Sequence, residues 1–155
     1  MEYDNEFENT ARSLTSDELE SVLDDLGIDI PNDLKTHYLA CNGGKPRKYL
    51  FRHGDDLYVL HQFLPIKYAA AGYRFEDVIH DLQDDVKRGC KVLPDYLIPF
   101  AIDPGGDYYC ISSRREDLGS IFIFRGEHFD QPDRACKKLA NSLRDFIDEM
   151  EEESS

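Results

Sequence analysis

The sequence predicts an α+β domain, in which helices at both ends of the chain enclose a meander of β-strands. Three observations lead to this class. A capped amphipathic helix lies near the N-terminus, three apolar runs joined by short turns occupy the second half, and an amphipathic segment closes the chain. A chain of 155 residues suits one core. We therefore expect a single domain over residues 1–155, with its core over about 14–150 and short acidic tails.

The first helix has local signals at both of its ends. Thr15 and Glu18 have the spacing of a capping box, and Gly27 stands where a C-terminal glycine cap belongs. These signals predict a helix over Ser16–Leu26. Its apolar residues recur at the helical spacing i, i+3, i+4, i+7, and they are Leu19, Val22, Leu23 and Leu26.

A second helix is predicted from Pro31 through NDLKTHYLA, because proline is favourable at the first helical position. The stop signal that follows is Asn42-Gly43-Gly44. We interpret it as the end of the helix in preference to a ligand-binding loop. The inner face of this helix is predicted to carry Leu34, Tyr38 and Cys41.

The middle of the chain predicts two strands and a helix. KYLF and DLYVLHQF have β-type composition and are separated by a turn around Gly54. Phe75 to Lys87 has apolar residues on one side of a helical wheel. The opposite side of that helix carries a row of acids, Asp77, Asp81, Asp84 and Asp85.

Three β-runs follow, over Tyr96 to Ile102, Asp107 to Ser112 and Ser120 to Arg125. Their connections are short, which predicts antiparallel pairing, because a parallel pair needs a crossover of a dozen residues or more. Asp133 to Met150 is predicted to form one closing helix that buries Leu139, Leu143, Phe146 and Ile147. The tail EEESS is expected to be disordered.

The stretch IPFAIDPGGDYYCI, which begins at Ile98, contains two adjacent glycines flanked by carboxylates. Pro99 cannot donate to a strand ladder, so its strand is expected to be at an edge or bulged. Asp103 to Gly106 has the composition of a turn. A phosphate loop would lead into a helix N-terminus, whereas Asp107 leads into an aromatic strand. The sequence therefore favours a hairpin over an anion site.

Charge and cysteine usage limit the classes of partner and cofactor. Lys and Arg total 18 against 32 Asp and Glu, which gives a formal net charge of -14. This balance argues against nucleic acid and anionic membranes as partners and fits a basic partner, although an acidic surface can also serve solubility alone. The cysteines are far apart and predict neither a zinc site nor a disulfide framework; they are Cys41, Cys90, Cys110 and Cys136.

The chain carries no sequence signal for export or membrane insertion. The acidic stretch MEYDNEFENTARS predicts neither a signal peptide nor a transit peptide. No segment approaches the roughly 20 apolar residues of a membrane helix. We expect a cytoplasmic protein that needs no cofactor.

Four segments, taken in order, resemble one known family. They are LESVLDDLGIDIPNDLKTHYLACNGG from Leu19, which ends in the NGG of Asn42 to Gly44, IPFAIDPGGDYYCI from Ile98, GSIFIF from Gly119 and ANSLRDFI from Ala140. The family is the SMI1/KNR4 superfamily, also called SUKH. The chain departs from it in having no Trp, with Phe122 and Phe124 where relatives often carry a larger aromatic.

The resemblance implies a mixed, largely antiparallel sheet packed by N-terminal and C-terminal helices, and a non-enzymatic role. Bacterial members look like immunity proteins that neutralise polymorphic toxins, often nucleases, and fungal members regulate cell-wall synthesis. The motifs are mainly structural, so we assign structural roles to Asn42, Gly43, Gly44, Pro99, Phe100, Asp103, Gly105, Gly106 and Asp107.

The sequence gives little support to a catalytic function. Asp103 and Asp107 could bind a divalent ion, but no third ligand is evident, and the sequence favours a role for Asp103 as a turn acceptor. The histidines lack HxxxH or HExxH spacing, although His80 and Asp84 are four residues apart. No serine or cysteine lies in a nucleophile motif. We therefore predict that no residue is catalytic and that a metal-dependent enzyme is the third-ranked hypothesis.

The acidic row on the predicted helix is the candidate partner-binding surface. Four like charges on one face weaken a helix, which suggests a use for negative potential, although a solvated face is the alternative. Tyr73, just upstream, could add an aromatic anchor. The candidates are Tyr73, Asp77, Asp81, Asp84 and Asp85. The leading functional hypothesis is an immunity protein that binds a basic toxin domain, and the second is a regulatory module of the fungal type.

Overall fold

The computed structural model describes residues 3–70, 72–83, 93–128, 131 and 135–153. Its architecture is α+β, as the sequence predicts, with helices packed against a mostly antiparallel sheet. The helices are α1 (Ser16–Leu26), α2 (Asn32–Ala40), α3 (Phe75–Gln83) and α4 (Leu143–Asp148). The strands are β1 (Phe7–Glu8), β2 (Lys45–Pro46), β3 (Leu50–His53), β4 (Asp56–Val59), β5 (Gln62–Phe63), β6 (Leu97–Ile102), β7 (Tyr108–Ser112), β8 (Ile121–Phe124) and β9 (Cys136–Ala140).

The largest sheet within the described residues has five strands in the order β5-β6-β7-β8-β9. Neighbouring strands are antiparallel, which confirms the prediction from the short connections between β6, β7 and β8. The hairpin β3–β4 and the pair β1–β2 form separate two-stranded sheets. The run DLYVLHQF, predicted as one strand, is divided: β4 belongs to the hairpin and β5 to the main sheet.

Proline in β6 is accommodated by an irregularity in the strand. The register between β6 and β7 shifts between Pro99 and Ala101, so a bulge lies at the residue that lacks an N–H donor. The bulged alternative is therefore correct. β6 is not an edge strand, because β5 covers its other side at Gln62 and Phe63.

Helix α1 has the predicted bounds because both of its ends are set by local chemistry. The Thr15 hydroxyl accepts from the Glu18 N–H at 3.1 Å, and a Glu18 carboxylate oxygen accepts from the Thr15 N–H at 3.0 Å. Gly27 is left-handed, with φ of 68°, and its N–H donates to the Asp24 carbonyl at 3.1 Å. This reciprocal cap and glycine stop confirm the sequence prediction.

The single helix predicted over Asp133 to Met150 is wrong. Its described part forms β9 and then α4, while Asp133 itself lies outside the described residues. β9 pairs with β8, and Ser142 then caps α4 by accepting from the Asp145 N–H at 3.0 Å. The four-residue spacing of Leu139 and Leu143 imitates a helix, but β8 has backbone groups that a strand can satisfy, and this tertiary pairing decides the outcome.

The C-terminal tail is ordered where the structure describes it. Glu151 forms a bridge with Leu50, with backbone N–O distances of 2.7 and 3.2 Å. The expectation of disorder from Glu151 onward is therefore wrong for Glu151. At the other end, β1 pairs with β2, an element that the sequence analysis did not anticipate.

Both faces of the main sheet are covered by apolar side chains. On one face, the Phe146 ring of α4 lies 4.9 Å from the Phe51 ring and 5.4 Å from the Tyr109 ring, centroid to centroid. A second cluster on the other face includes Leu97 and Phe124. In the segments described, no helix is both long enough and apolar enough to cross a membrane.

Candidate partner-binding surface and structural loops

The two glycines after β6 belong to a hairpin turn built on one carboxylate. The Asp103 Oδ1 atom accepts from the Gly105 N–H at 2.9 Å and from the Asp107 N–H at 2.8 Å. The Gly106 N–H donates to the Asp103 carbonyl at 3.2 Å, and Gly106 has a φ of 95°. β6 precedes the turn and β7 follows it. This is the geometry of a β-hairpin rather than of a strand leading into a helix.

The carboxylates of this turn offer little to a cation. Asp103 Oδ1 already accepts two backbone hydrogen bonds, and burial, followed by the nearby charge of Asp103, raises the pKa of Asp107. Among the residues that the structure describes, no group of three or more His, Cys, Asp or Glu side chains converges as metal ligands would.

Substitution at Gly106 tests the structural role of the turn. We expect Gly106→Val to lower the free energy of unfolding by about 1 to 3 kcal/mol, because a β-branched residue is strained at positive φ. The control is Gly105→Ala, since a Cβ there would meet only the Asp103 carboxylate oxygens, at ordinary distances of 3.5 and 4.0 Å. Denaturant unfolding of both variants measures the difference. Equal stabilities would contradict the role assigned to Gly106.

The loop after α2 is organised by a buried asparagine. Asn42 is 2% exposed, and its side-chain amide donates to the carbonyls of Arg12 at 2.8 Å and Ile66 at 2.9 Å. Its Oδ1 atom accepts from the Ile66 N–H at 2.7 Å. One side chain thereby joins three segments of the chain, which is a structural role.

The two glycines that follow allow other backbone to approach closely. A Cβ on Gly43 would lie 2.8 Å from the Pro65 Cβ, and one on Gly44 would lie 2.7 Å from the Glu8 carbonyl oxygen. Both glycines have positive φ, 74° and 93°. No larger residue fits without displacing its neighbours. The NGG motif therefore packs the N-terminal segment against the segment before α3.

The acidic row of α3 is only partly available to a partner. Asp77 accepts from the Arg74 guanidinium at 2.9 and 3.1 Å and from the Gly72 N–H at 2.8 Å. The Arg74 hydrogen bond, ahead of the backbone bonds, lowers the pKa of Asp77 to about 2. Asp77 thus stabilises the start of α3. The pairing could have been anticipated, because Arg74 lies three residues before Asp77.

The other partner-binding candidates differ in accessibility. Asp81 is exposed on α3, and Tyr73 is 68% exposed just before it. Asp84 and Asp85 lie outside the described residues. Tyr73 and Asp81 are therefore the two candidates that the structure leaves available.

The histidines do not share one element. His37 is fully buried in α2, whereas His53 lies in β3, His61 between β4 and β5, and His80 on the exposed side of α3. The burial of His37 was missed by the sequence analysis, which placed only Leu34, Tyr38 and Cys41 on that face. Its position three residues after Leu34 is the signal that could have revealed it.

The chain is an α+β domain in which the Asn42 loop and the Asp103 turn are held by internal hydrogen bonds. The model of one family, SMI1 / KNR4 family (SUKH-1), matches residues 13–149. The chain belongs to the SMI1/KNR4 family. No curated protein matches the chain.

Proposed function

We propose that the protein is an immunity protein, which binds a toxin domain and blocks it without chemistry of its own. The observation that carries the proposal is the family match over residues 13–149, because members of this family are generally non-enzymatic immunity proteins. The structural roles of the Asp103 turn and of Asn42 agree with this, since they give the most distinctive motifs a use in folding. The proposed site of action is the cytoplasm.

The net charge indicates the kind of toxin. A formal charge of -14 favours a basic partner, and a nuclease domain is basic because it binds phosphates. An acidic inhibitor can occupy such a cleft in place of nucleic acid. Complementary charge also accelerates encounter, which matters when an unbound toxin is lethal.

Co-expression tests the proposal directly. Each domain encoded by the reading frames next to that of this chain is expressed from an inducible promoter, with and without the chain, and survival is counted. We expect survival only with the chain, together with a stable complex of the purified proteins. A complex without protection would favour the regulatory alternative. Neither protection nor a complex would refute the immunity role for this pair.

Electrostatic steering gives a second, kinetic prediction. We expect Asp81→Asn to slow association with the toxin domain several-fold at low salt and to converge with the wild type at high salt, because exposed charges are screened over about 8 Å at physiological ionic strength. Asp55→Asn is the matched control, since it removes the same charge from an exposed position beside the β3–β4 turn. Surface-based kinetics across a salt series measure both. Equal rates for the two variants would show that α3 has no special role.

A further inference from the structure

A groove of about 660 Å³ lies between the α1–α2 connection and the far end of the main sheet. Leu26 and Ile28 line it on the helical side, and Ile98 and Leu118 line it on the sheet side. Leu118 is 60% exposed and adds apolar surface to the rim of the groove. No motif in the sequence indicates this surface.

Both walls of the groove are held in place by contacts of their own. Lys35 lies 3.1 Å from a carboxylate oxygen of Asp29, an exposed ion pair that links α2 to the α1–α2 connection. Opposite, Leu118 follows a 3₁₀ turn in which Arg114 pairs with Asp117 at 2.8 Å. A partner would therefore meet a preformed surface, which lowers the cost of ordering on binding.

The lining chemistry indicates what the groove can accept. Asp29 and Asp95 are among its described lining residues, and none of these is lysine or arginine. The Lys35 ammonium lies 3.1 Å from a carboxylate oxygen of Asp29 and 3.1 Å from one of Glu20. These three side chains together therefore carry a net negative charge. The C-terminal end of α1 and the N-terminal end of α2 both contribute lining residues, and their opposite partial charges offset. The negative sign at the groove therefore comes from the group of Asp29, Glu20 and Lys35.

We propose that this groove, rather than α3 alone, is a docking surface for the toxin domain, and that it receives a lysine or arginine flanked by apolar side chains. The aliphatic stem of such a residue would pack against Leu26, Ile28 and Leu118, and its cation would face Asp29. This deepens the proposed function and rests on it. A second copy of the chain is a poor occupant, because two bodies of formal charge -14 repel each other.

The first experiment introduces a cation into the groove. We expect Leu118→Arg to raise the Kd for the toxin domain at least about tenfold, because it adds bulk and a like charge where the partner's cation docks. Leu57→Arg is the matched control: Leu57 is 45% exposed on the β3–β4 hairpin, none of whose described residues lines the groove. Thermal unfolding first verifies that both variants fold. Wild-type affinity for Leu118→Arg, or an equal loss with Leu57→Arg, would overturn the proposal.

A peptide titration separates failure of the groove from failure of the immunity role. If the wild type does not bind the toxin domain, labelled protein is titrated with Ac-Leu-Arg-Leu-NH2 and with Ac-Leu-Glu-Leu-NH2. We expect the arginine peptide alone to shift the amide signals of Ile28, Asp95 and Leu118, and Leu118→Arg to abolish the shifts. Shifts with both peptides, or with neither, would refute the groove chemistry whatever the function of the chain.

Discussion

Replacing Asn42 with leucine is expected to lower the free energy of unfolding by about 3 to 5 kcal/mol, a large part of the total for a domain of this size. The substitution removes three hydrogen bonds and leaves the N–H and carbonyl of Ile66 and the carbonyl of Arg12 without their partner. Each buried polar group left unsatisfied costs about 1 to 3 kcal/mol. Denaturant unfolding of the purified variant measures the loss.

Asn141→Leu is the matched control, because Asn141 is exposed in the turn between β9 and α4. We expect that variant to stay within about 0.5 kcal/mol of the wild type. An Asn42→Leu protein as stable as the control would show that the three hydrogen bonds contribute little. Leucine keeps the branched shape of asparagine but is bulkier, so part of the measured loss comes from overpacking of this buried position.

The second large effect concerns pH. Burial lowers the pKa of His37 from 6.5 to about 4. The ring lies within 5.2 Å of Phe7 and 5.0 Å of Phe63, centroid to centroid, and Nε2 finds no hydrogen-bond partner among the described residues. Its Nδ1 atom is 3.2 Å from the Tyr3 hydroxyl. Protonation would thus place a charge in an aromatic cluster, which the fold resists.

The sign of the pH effect follows from proton uptake. Between pH 6.5 and 4 the unfolded chain binds a proton at His37 that the folded chain excludes. The stability contributed by neutral His37 is therefore complete above pH 6.5 and is lost as the pH falls towards 4. The free energy of unfolding lost over this pH range because of His37 is about 3 kcal/mol. We expect His37→Phe to flatten this part of the stability profile, measured by denaturant unfolding at a series of pH values. His80→Phe, on the exposed side of α3, serves as the control, and an unchanged slope in His37→Phe would exclude His37 as the cause.

The sequence predicted correctly those elements whose determinants lie within a few residues of them. Thr15, Glu18 and Gly27 set the ends of α1 through contacts within a few residues, and the helix was placed correctly. β9 was mistaken for helix because its identity depends on β8, whose edge it completes. The sequence showed that Pro99 needs an edge or a bulge, but only the partner strand decided between them.

The candidate site was less predictable, because exposure is a property of the assembled fold. The periodicity of α3 put Asp77 and Asp81 on one face, yet it did not show that Asp77 is held by Arg74 while Asp81 remains exposed. Nothing in the local sequence distinguishes Leu118 from the leucines of the core. Its exposure depends on the 3₁₀ turn that follows β7, and the groove depends on two segments far apart in the chain.

The pairing of both ends of the described chain with one middle stretch affects when the protein becomes active during synthesis. β1 pairs with β2, while Glu151 pairs with Leu50 a few residues further on. A ribosome releases the N-terminal elements first, so β8 has no outer neighbour until β9 has emerged. Contacts this distant in sequence also close slowly. In the immunity role proposed above, protection from a toxin would come from the pool of finished molecules, and continuous production in advance would serve a cell better than a response begun on attack.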